Sequence, residues 1–158
     1  MGGFALTCLI VVLPAMGAGC AGGGGITTGG ANTKIVGAVG YCMSGRYAIN
    51  AATHFADRVK AAASVYGVQL ATDQPDSPHL AAGKTKAELY FGCAETDVYA
   101  PPEIIEKVRV GMKGTKNEVE VFPGTHHGFA FPKRPVYDRD AAERHWERLL
   151  ALYRRNLG

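Results

Sequence analysis

The stretch KIVGAVGYCMSGRYA, residues 34–48, decides the fold of this chain. Its first six residues are mostly apolar and rich in valine and isoleucine, which predicts a buried strand that ends at Gly40. Apolar residues then recur at helical spacing over residues 43–56, so a helix is expected to begin almost at once. A strand, a tight turn and a helix in direct succession are typical of an α/β fold.

The remainder of the chain alternates strands and helices in the same way. Further strands are predicted over residues 59–66, 87–91 and 118–122. A second helix opens at Pro101 and Pro102, because proline is tolerated in a first helical turn, and Asp138 can cap a last helix. Residues 67–86 and 123–137 contain prolines and are expected to be loops. This order predicts a mainly parallel sheet flanked by helices, with ligand chemistry at the carboxyl ends of the strands.

The composition restricts the class of protein. The chain has 158 residues, of which 17 are basic and 14 acidic, so its net charge is +3. With 47% apolar residues and a small net charge, it suits a globular protein and argues against a disordered chain. There is no run of lysine or arginine, so no nucleic-acid partner is expected.

The first 33 residues differ from the rest. They contain no charged side chain, although they hold 10 of the 21 glycines, and the first charge is Lys34. The apolar run over residues 4–16 is too short for a membrane-spanning helix, which needs about 20 residues, and no basic residue precedes it as in a signal peptide. We therefore expect a leader over residues 1–33 and a domain of ordinary composition over residues 34–158.

Two interpretations of this leader stay open. Cys20 follows small residues, which suggests an exported or lipid-anchored protein, although Gly17 stands where a lipoprotein signal usually has leucine. The other interpretation is a poorly ordered extension in which residues 22–30 form a flexible linker, because glycine-rich chain is entropically costly to order. With the second interpretation we expect a cytoplasmic protein without membrane contact.

The four cysteines point away from metal and disulfide chemistry. Cys8, Cys20, Cys42 and Cys93 form no CxxC pair and are not densely spaced, so neither a zinc site nor a disulfide framework is expected. Cys93 lies near acidic residues and no helix starts on it, so we interpret it as a buried structural residue.

Cys42 has the surroundings of a nucleophile. It stands between the first strand and the first helix, with small residues around it, which is the pattern of a nucleophile elbow. The amino end of the helix favours the thiolate, the reactive form, and the N–H of Met43 would point at a developing oxyanion. The alternative is that Cys42 is a small buried hydrophobic residue.

An acid and a base follow later strands. Asp97 comes after the third strand, where it is either catalytic or only a helix cap, and Glu95 is the competing carboxylate. After the fourth strand come His126 and His127, and Gly128 beside the second of them favours His127 as the base. The order nucleophile, acid, histidine is that of α/β-hydrolases. The other histidines, which are interpreted as surface or core-edge residues, are His54, His79 and His145.

Three separated segments together resemble the dienelactone hydrolase (carboxymethylenebutenolidase) family. They are GYCMSGRYA at 40–48, GCAETDVYAPPE at 92–103 and FPGTHHGFAFPKRPVYDRDAAERHWERLLALY at 122–153. The resemblance covers residues 34–158 and implies the carboxyl-terminal part of an α/β-hydrolase fold. It also implies cofactor-free, metal-free hydrolysis of a small ester or lactone, with Cys42 as nucleophile, Asp97 as acid and His127 as base, and the HGF triplet selects His127.

Two positions depart from the pattern of that family. Ser44 stands where the elbow usually has glycine, so the turn is expected to survive with some strain. Phe131 stands where the dienelactone enzymes carry an arginine that holds the substrate carboxylate, and an apolar ring cannot pair with a carboxylate. This favours a more apolar ester, with Phe131 as a substrate-binding residue, unless Arg46, Lys133 or Arg134 replaces the missing arginine.

The resemblance also implies an amino-terminal half-sheet that the leader cannot supply. The strand over residues 34–39 would then present an open apolar edge, which favours association, so a homo-oligomer that covers this edge is one expectation. The alternative to an active enzyme is a truncated, non-catalytic fragment of a hydrolase fold.

Overall fold

The computed structural model describes residues 10–15 and 32–158. The predictions on Cys8, Cys20 and residues 22–30 lie outside these residues. The strands are β1 (Ile10–Ala15), β2 (Asn32–Tyr41), β3 (Val59–Val65), β4 (Glu88–Thr96) and β5 (Asn117–His126). The helices are α1 (Met43–His54), α2 (Pro102–Gly111) and α3 (Arg139–Leu157), with a short 3₁₀ turn at Pro78–Leu80.

The five strands form one sheet in the order β1-β2-β3-β4-β5. Strands β2 to β5 run parallel to one another, which confirms the predicted α/β arrangement. Tyr41 at the end of β2 pairs with Val65, and Val65 pairs with Gly92 in β4. Because this register aligns the strands, the segments that follow β2, β3, β4 and β5 meet at one edge of the sheet.

Strand β1 comes from the uncharged leader and runs antiparallel along β2. The pairing extends from Ile10 opposite Gly40 to Ala15 opposite Asn32. Strand β2 therefore has a partner on both sides, in contrast to the open edge expected from the sequence. The division of the chain at Lys34 into a leader and a domain stays a prediction.

Strands β4 and β5 are longer than predicted. Strand β4 continues past Phe91 to Thr96, and β5 continues past Phe122 to His126, although Pro123 and Gly124 are loop signals. The pairing resumes with Thr96 opposite His126 after an irregularity. Tertiary pairing has overridden the local signals, and it places Asp97 and His127 directly after neighbouring strand ends.

The helices cover both faces of the sheet. Successive residues of β3 alternate between the two cores, with Ala61 and Ala63 facing α3 and Ala62 facing α1 and α2. Asp138 caps α3 as predicted, since its carboxylate accepts a hydrogen bond from the Ala141 N–H at 2.8 Å. Within the described residues, no helix combines the length and apolar character needed to cross a membrane.

His145 is a core residue, so its interpretation as a surface or core-edge histidine is wrong. Its side chain lies on the buried face of α3 and is 1% exposed. One ring nitrogen, Nδ1, bonds the Ala142 carbonyl, and Nε2 lies 3.1 Å from the Tyr41 hydroxyl. Burial lowers the pKa of His145 from 6.5 to about 4, so the ring is neutral in the folded protein at pH 7.

This buried histidine predicts a pH-dependent stability. Below pH 6.5 the unfolded chain binds a proton at residue 145 that the folded protein excludes, so stability present above pH 6.5 is lost as the pH falls towards 4. The free energy of unfolding of the parent should fall by about 3 kcal/mol more than that of His145→Gln over this range, measured by urea denaturation. His54→Gln, at an exposed histidine, should behave as the parent; equal pH dependence of all three proteins would contradict the prediction.

Candidate active site

Cys42 occupies a tight turn between β2 and α1. Its backbone has φ 56° and ψ −124°, a conformation that L residues seldom adopt. A side chain at Gly40 would place its Cβ 2.0 Å from the Ser44 carbonyl oxygen, and one at Gly45 would lie 2.3 Å from the Ser64 hydroxyl. Gly40 therefore allows β2 to approach α1, and Gly45 allows α1 to approach β3, so glycine is required on both sides of the turn.

The strain that was expected at Ser44 falls on Cys42 instead. Cys42 is the residue of the turn with a positive φ, whereas Ser44 lies within α1 and is fully buried. Met43 is the first residue of α1, so its N–H has no acceptor within the helix.

The three side chains predicted to work together are in contact. His127 Nε2 lies 3.2 Å from Cys42 Sγ, and His127 Nδ1 lies 2.7 Å from Asp97 Oδ2. The second carboxylate oxygen of Asp97 accepts a hydrogen bond from the Tyr99 N–H at 2.9 Å. Asp97 is 6% exposed, so this carboxylate is held in one orientation between the imidazole and its own loop.

The competing residues have other partners. Glu95 is exposed and accepts a hydrogen bond from the Gly124 N–H at 2.8 Å, away from the imidazole. His126, the alternative histidine, is exposed at the end of β5. Cys93 is buried within β4, and burial together with the nearby Asp97 raises its thiol pKa to about 12, in agreement with a structural role.

Two tyrosines that sequence reasoning missed enclose the imidazole of His127. The ring of Tyr66 lies 5.2 Å and that of Tyr99 5.0 Å from the imidazole centroid, both in edge-to-face geometry. Tyr66 is buried, whereas Tyr99 is half exposed, so one ring forms the floor and the other the rim of the site. Their positions in the sequence could have placed both tyrosines at the site, because Tyr66 directly follows β3 and Tyr99 closely follows Asp97.

Phe131 lies beside this site in an aromatic environment. Its ring packs 5.5 Å from that of Tyr41 and 6.2 Å from that of Tyr66. It also lines a pocket of about 250 Å³ whose walls include Tyr137 and Trp146. The rings that contact Phe131 are aromatic, whereas the pocket is also lined by the polar side chains of Glu143 and His145.

The three basic residues considered as replacements for the missing arginine are in different positions. Arg46 donates a hydrogen bond to Gln69 and forms an ion pair with Asp76 at 3.4 Å. Lys133 is exposed. Arg134 packs against Gly128, beside His127, so it is the one of the three with a side chain next to the imidazole loop. Among the described residues, no group of three or more metal-ligating side chains could hold a metal ion.

Comparison with known proteins relates the chain to one family. The model of the "Dienelactone hydrolase family" matches residues 27–157. A "Putative carboxymethylenebutenolidase" of Aquifex aeolicus is 32% identical over 117 residues, which cover 72% of this chain and 48% of that protein. A protein of the same name from Synechocystis is 29% identical over 77% of this chain and 51% of its own length. The chain thus spans about half the length of the curated relatives it matches.

Solved structures agree with this relation. The crystal structure of a "Putative Dienelactone Hydrolase" from Klebsiella pneumoniae superposes with a TM-score of 0.67 at 26% identity, covering 73% of this chain and 50% of that one. A puromycin-hydrolyzing peptidase of Mycobacterium tuberculosis, at 20% identity, has a TM-score of 0.61 over 76% of this chain and 22% of its own, and shares the fold.

The close approach of β2 and α1 predicts that an added side chain destabilises the protein more at Gly40 than at an open position such as Gly83. Gly40→Ala would drive Cβ into the Ser44 backbone, and we expect a loss of about 3 kcal/mol or more in the free energy of unfolding. Gly83→Ala meets no atom within 4 Å and suffers only from its φ of 77°, so about 1 kcal/mol is expected. Chemical denaturation measures both, and equal losses would show that the turn has room for a side chain.

Proposed function

The chain belongs to the dienelactone hydrolase family, and from this premise we propose that it hydrolyses a carboxylic ester or lactone through Cys42, His127 and Asp97. The observation that carries the proposal is the position of His127, which lies 3.2 Å from the thiol and 2.7 Å from the carboxylate. A base that contacts both a nucleophile and an orienting acid is the arrangement that activates a weak nucleophile.

The first half of the proposed reaction forms a thioester. His127 Nε2 takes the thiol proton, and Cys42 Sγ attacks the carbonyl carbon of the substrate. The carbonyl oxygen becomes an oxyanion that the Met43 N–H stabilises, at the amino end of α1. When the tetrahedral intermediate collapses, the C–O bond breaks and the imidazolium gives its proton to the leaving oxygen.

The second half regenerates the enzyme. His127 takes a proton from water, the resulting hydroxide attacks the thioester, and Cys42 leaves as a thiolate that regains the proton. In both halves Asp97 accepts the Nδ1–H, which fixes the tautomer of the imidazole and stabilises its charged form. Every proton moves between the named side chains, substrate and water, so the proposed reaction requires neither metal nor cofactor.

The substrate is proposed to be a small ester or lactone with an apolar part near Phe131. Phe131 packs against the buried rings of Tyr41 and Tyr66 and is itself partly exposed, so an apolar group gains free energy by leaving water against this ring. The ring offers no charge to a carboxylate, and the basic side chain that packs against the imidazole loop is that of Arg134.

A second candidate is a hydrolase-like domain without catalytic activity. The chain covers 48% of the Aquifex relative, and this candidate holds that the matched half does not turn over ester on its own. The two candidates differ in one measurable quantity, the number of ester molecules that each protein molecule converts.

We expect multiple turnovers of p-nitrophenyl acetate by the parent protein. Cys42→Ala and His127→Ala should each reduce kcat/KM by about 1,000-fold or more, because each removes a group that takes part in bond making or proton transfer. His126→Ala is the matched control, since it removes the neighbouring, exposed histidine and should retain activity. Release of p-nitrophenol at the same rate from parent and Cys42→Ala would support the non-catalytic candidate.

The two carboxylates give a second test of the same proposal. Asp97→Asn keeps the shape of the side chain but removes the charge that stabilises the imidazolium, so kcat should fall on the order of 100-fold or more. Glu95→Gln alters a carboxylate that contacts only the Gly124 N–H, and its kcat should stay within about twofold of the parent. The reverse ranking would assign the acid to Glu95.

A further inference from the structure

We propose that the hydroxyl of Ser44 is a positioning group that holds Cys42 in its strained conformation. The inference rests on the proposed function, in which Cys42 is the nucleophile. Ser44 Oγ donates a hydrogen bond to the Tyr41 carbonyl at 2.7 Å and accepts one from the Tyr41 N–H at 2.9 Å. One fully buried hydroxyl therefore binds both backbone groups of the residue that precedes the nucleophile.

The bond to the Tyr41 carbonyl acts on the peptide plane that joins Tyr41 to Cys42. The N–H of this plane belongs to Cys42 and donates to the Val65 carbonyl of β3 at 3.1 Å. The carbonyl of the plane belongs to Tyr41 and is bound by Ser44 on the opposite side. The plane is thus held from both ends. Without the hydroxyl, the bond to Val65 would remain to hold it among the described residues.

The next peptide plane, which joins Cys42 to Met43, is held independently. Its carbonyl accepts hydrogen bonds from the N–H groups of Gly45 at 3.0 Å and Val68 at 3.2 Å. Because φ and ψ of Cys42 are the rotations between these two planes, fixing both planes fixes the angles of 56° and −124°. Ser44 supplies a side-chain contribution, and the other bonds described here join backbone groups.

A serine is suited to this position because its hydroxyl binds backbone groups of Tyr41 that lie beyond the described pairing of β1 with β2. The described pairing of β1 with β2 reaches Gly40 and does not include Tyr41. Buried N–H and carbonyl groups need partners, and the hydroxyl, being both donor and acceptor, serves the two groups of Tyr41 at once. Glycine, the usual residue at this position of the family pattern, has no side chain that could do so.

The consequence for catalysis lies in the contact between Cys42 Sγ and His127 Nε2, which depends on where the elbow directs the thiol. If the first peptide plane rotates, φ of Cys42 relaxes and the sulfur moves relative to the imidazole. Displacements of about 1 Å in a reacting pair can reduce rates by about 100-fold. Ser44 acts through Cys42 and is not expected to touch the substrate, so its removal should change kcat much more than KM.

Ser44→Ala is the direct test, with Ser64→Ala as the matched control. Ser64 is a second buried serine beside the same turn, but its hydroxyl has no hydrogen-bond partner among the described residues. For p-nitrophenyl acetate, we expect Ser44→Ala to lose at least about tenfold in kcat with KM within about twofold, and Ser64→Ala to match the parent. Ser44→Thr, which retains the hydroxyl, should recover most of the kcat.

A second measurement does not depend on ester hydrolysis. The rate at which iodoacetamide alkylates Cys42 at pH 7, located by peptide mass spectrometry, should fall in Ser44→Ala and in Ser44→Gly relative to the parent and Ser64→Ala. Circular dichroism identifies folded variants, and Ser44→Gly decides the result if the alanine variant does not fold. Parental alkylation rates in the folded variants without the hydroxyl would overturn the inference, whereas absence of turnover in the parent would overturn only the proposed function.

Discussion

The contact between the backbones of β2 and α1 around Cys42 is the constraint on which the site depends. Gly40 can approach the Ser44 carbonyl because it has no Cβ, and the chain must then reverse at Cys42, the single residue between strand and helix. The reversal imposes a φ of 56° on Cys42, which costs about 1–3 kcal/mol when borne by a residue other than glycine. The hydrogen bonds around the turn offset this cost, and the thiol is left at the carboxyl edge of the sheet.

The parallel register of the strands places the other residues of the site next to this turn. Tyr41, Val65 and Gly92 are aligned across β2, β3 and β4, so chain segments far apart in sequence emerge side by side. Strand β5 then follows β4 as far as His126, and the next residue reaches both the thiol and Asp97. The distances at His127 are therefore a property of strand register, since no local motif could fix them.

The sequence predicted the parts of the structure that depend on local pattern. The elbow, the helical spacing of α1 and α3 and the Asp138 cap follow from residue type and spacing, as does the choice of His127 beside Gly128. Pairing that depends on distant residues was missed. Pro123 and Gly124 marked a loop where β5 continues, and His145 reads as a polar helix residue until α3 is placed against Tyr41.

The two cysteines of the described domain show how position determines chemistry. Cys93 lies within β4, where burial and Asp97 oppose the thiolate and raise its pKa to about 12. Cys42 is also buried, but it stands at a strand end, where His127 reaches its sulfur and a helix begins. Both thiols are close to Asp97, so this carboxylate alone cannot explain why Cys93 is structural whereas Cys42 is proposed as the nucleophile. In the proposed mechanism the imidazole makes the difference, because it lies between Asp97 and Cys42 Sγ and its charged form is stabilised by the carboxylate.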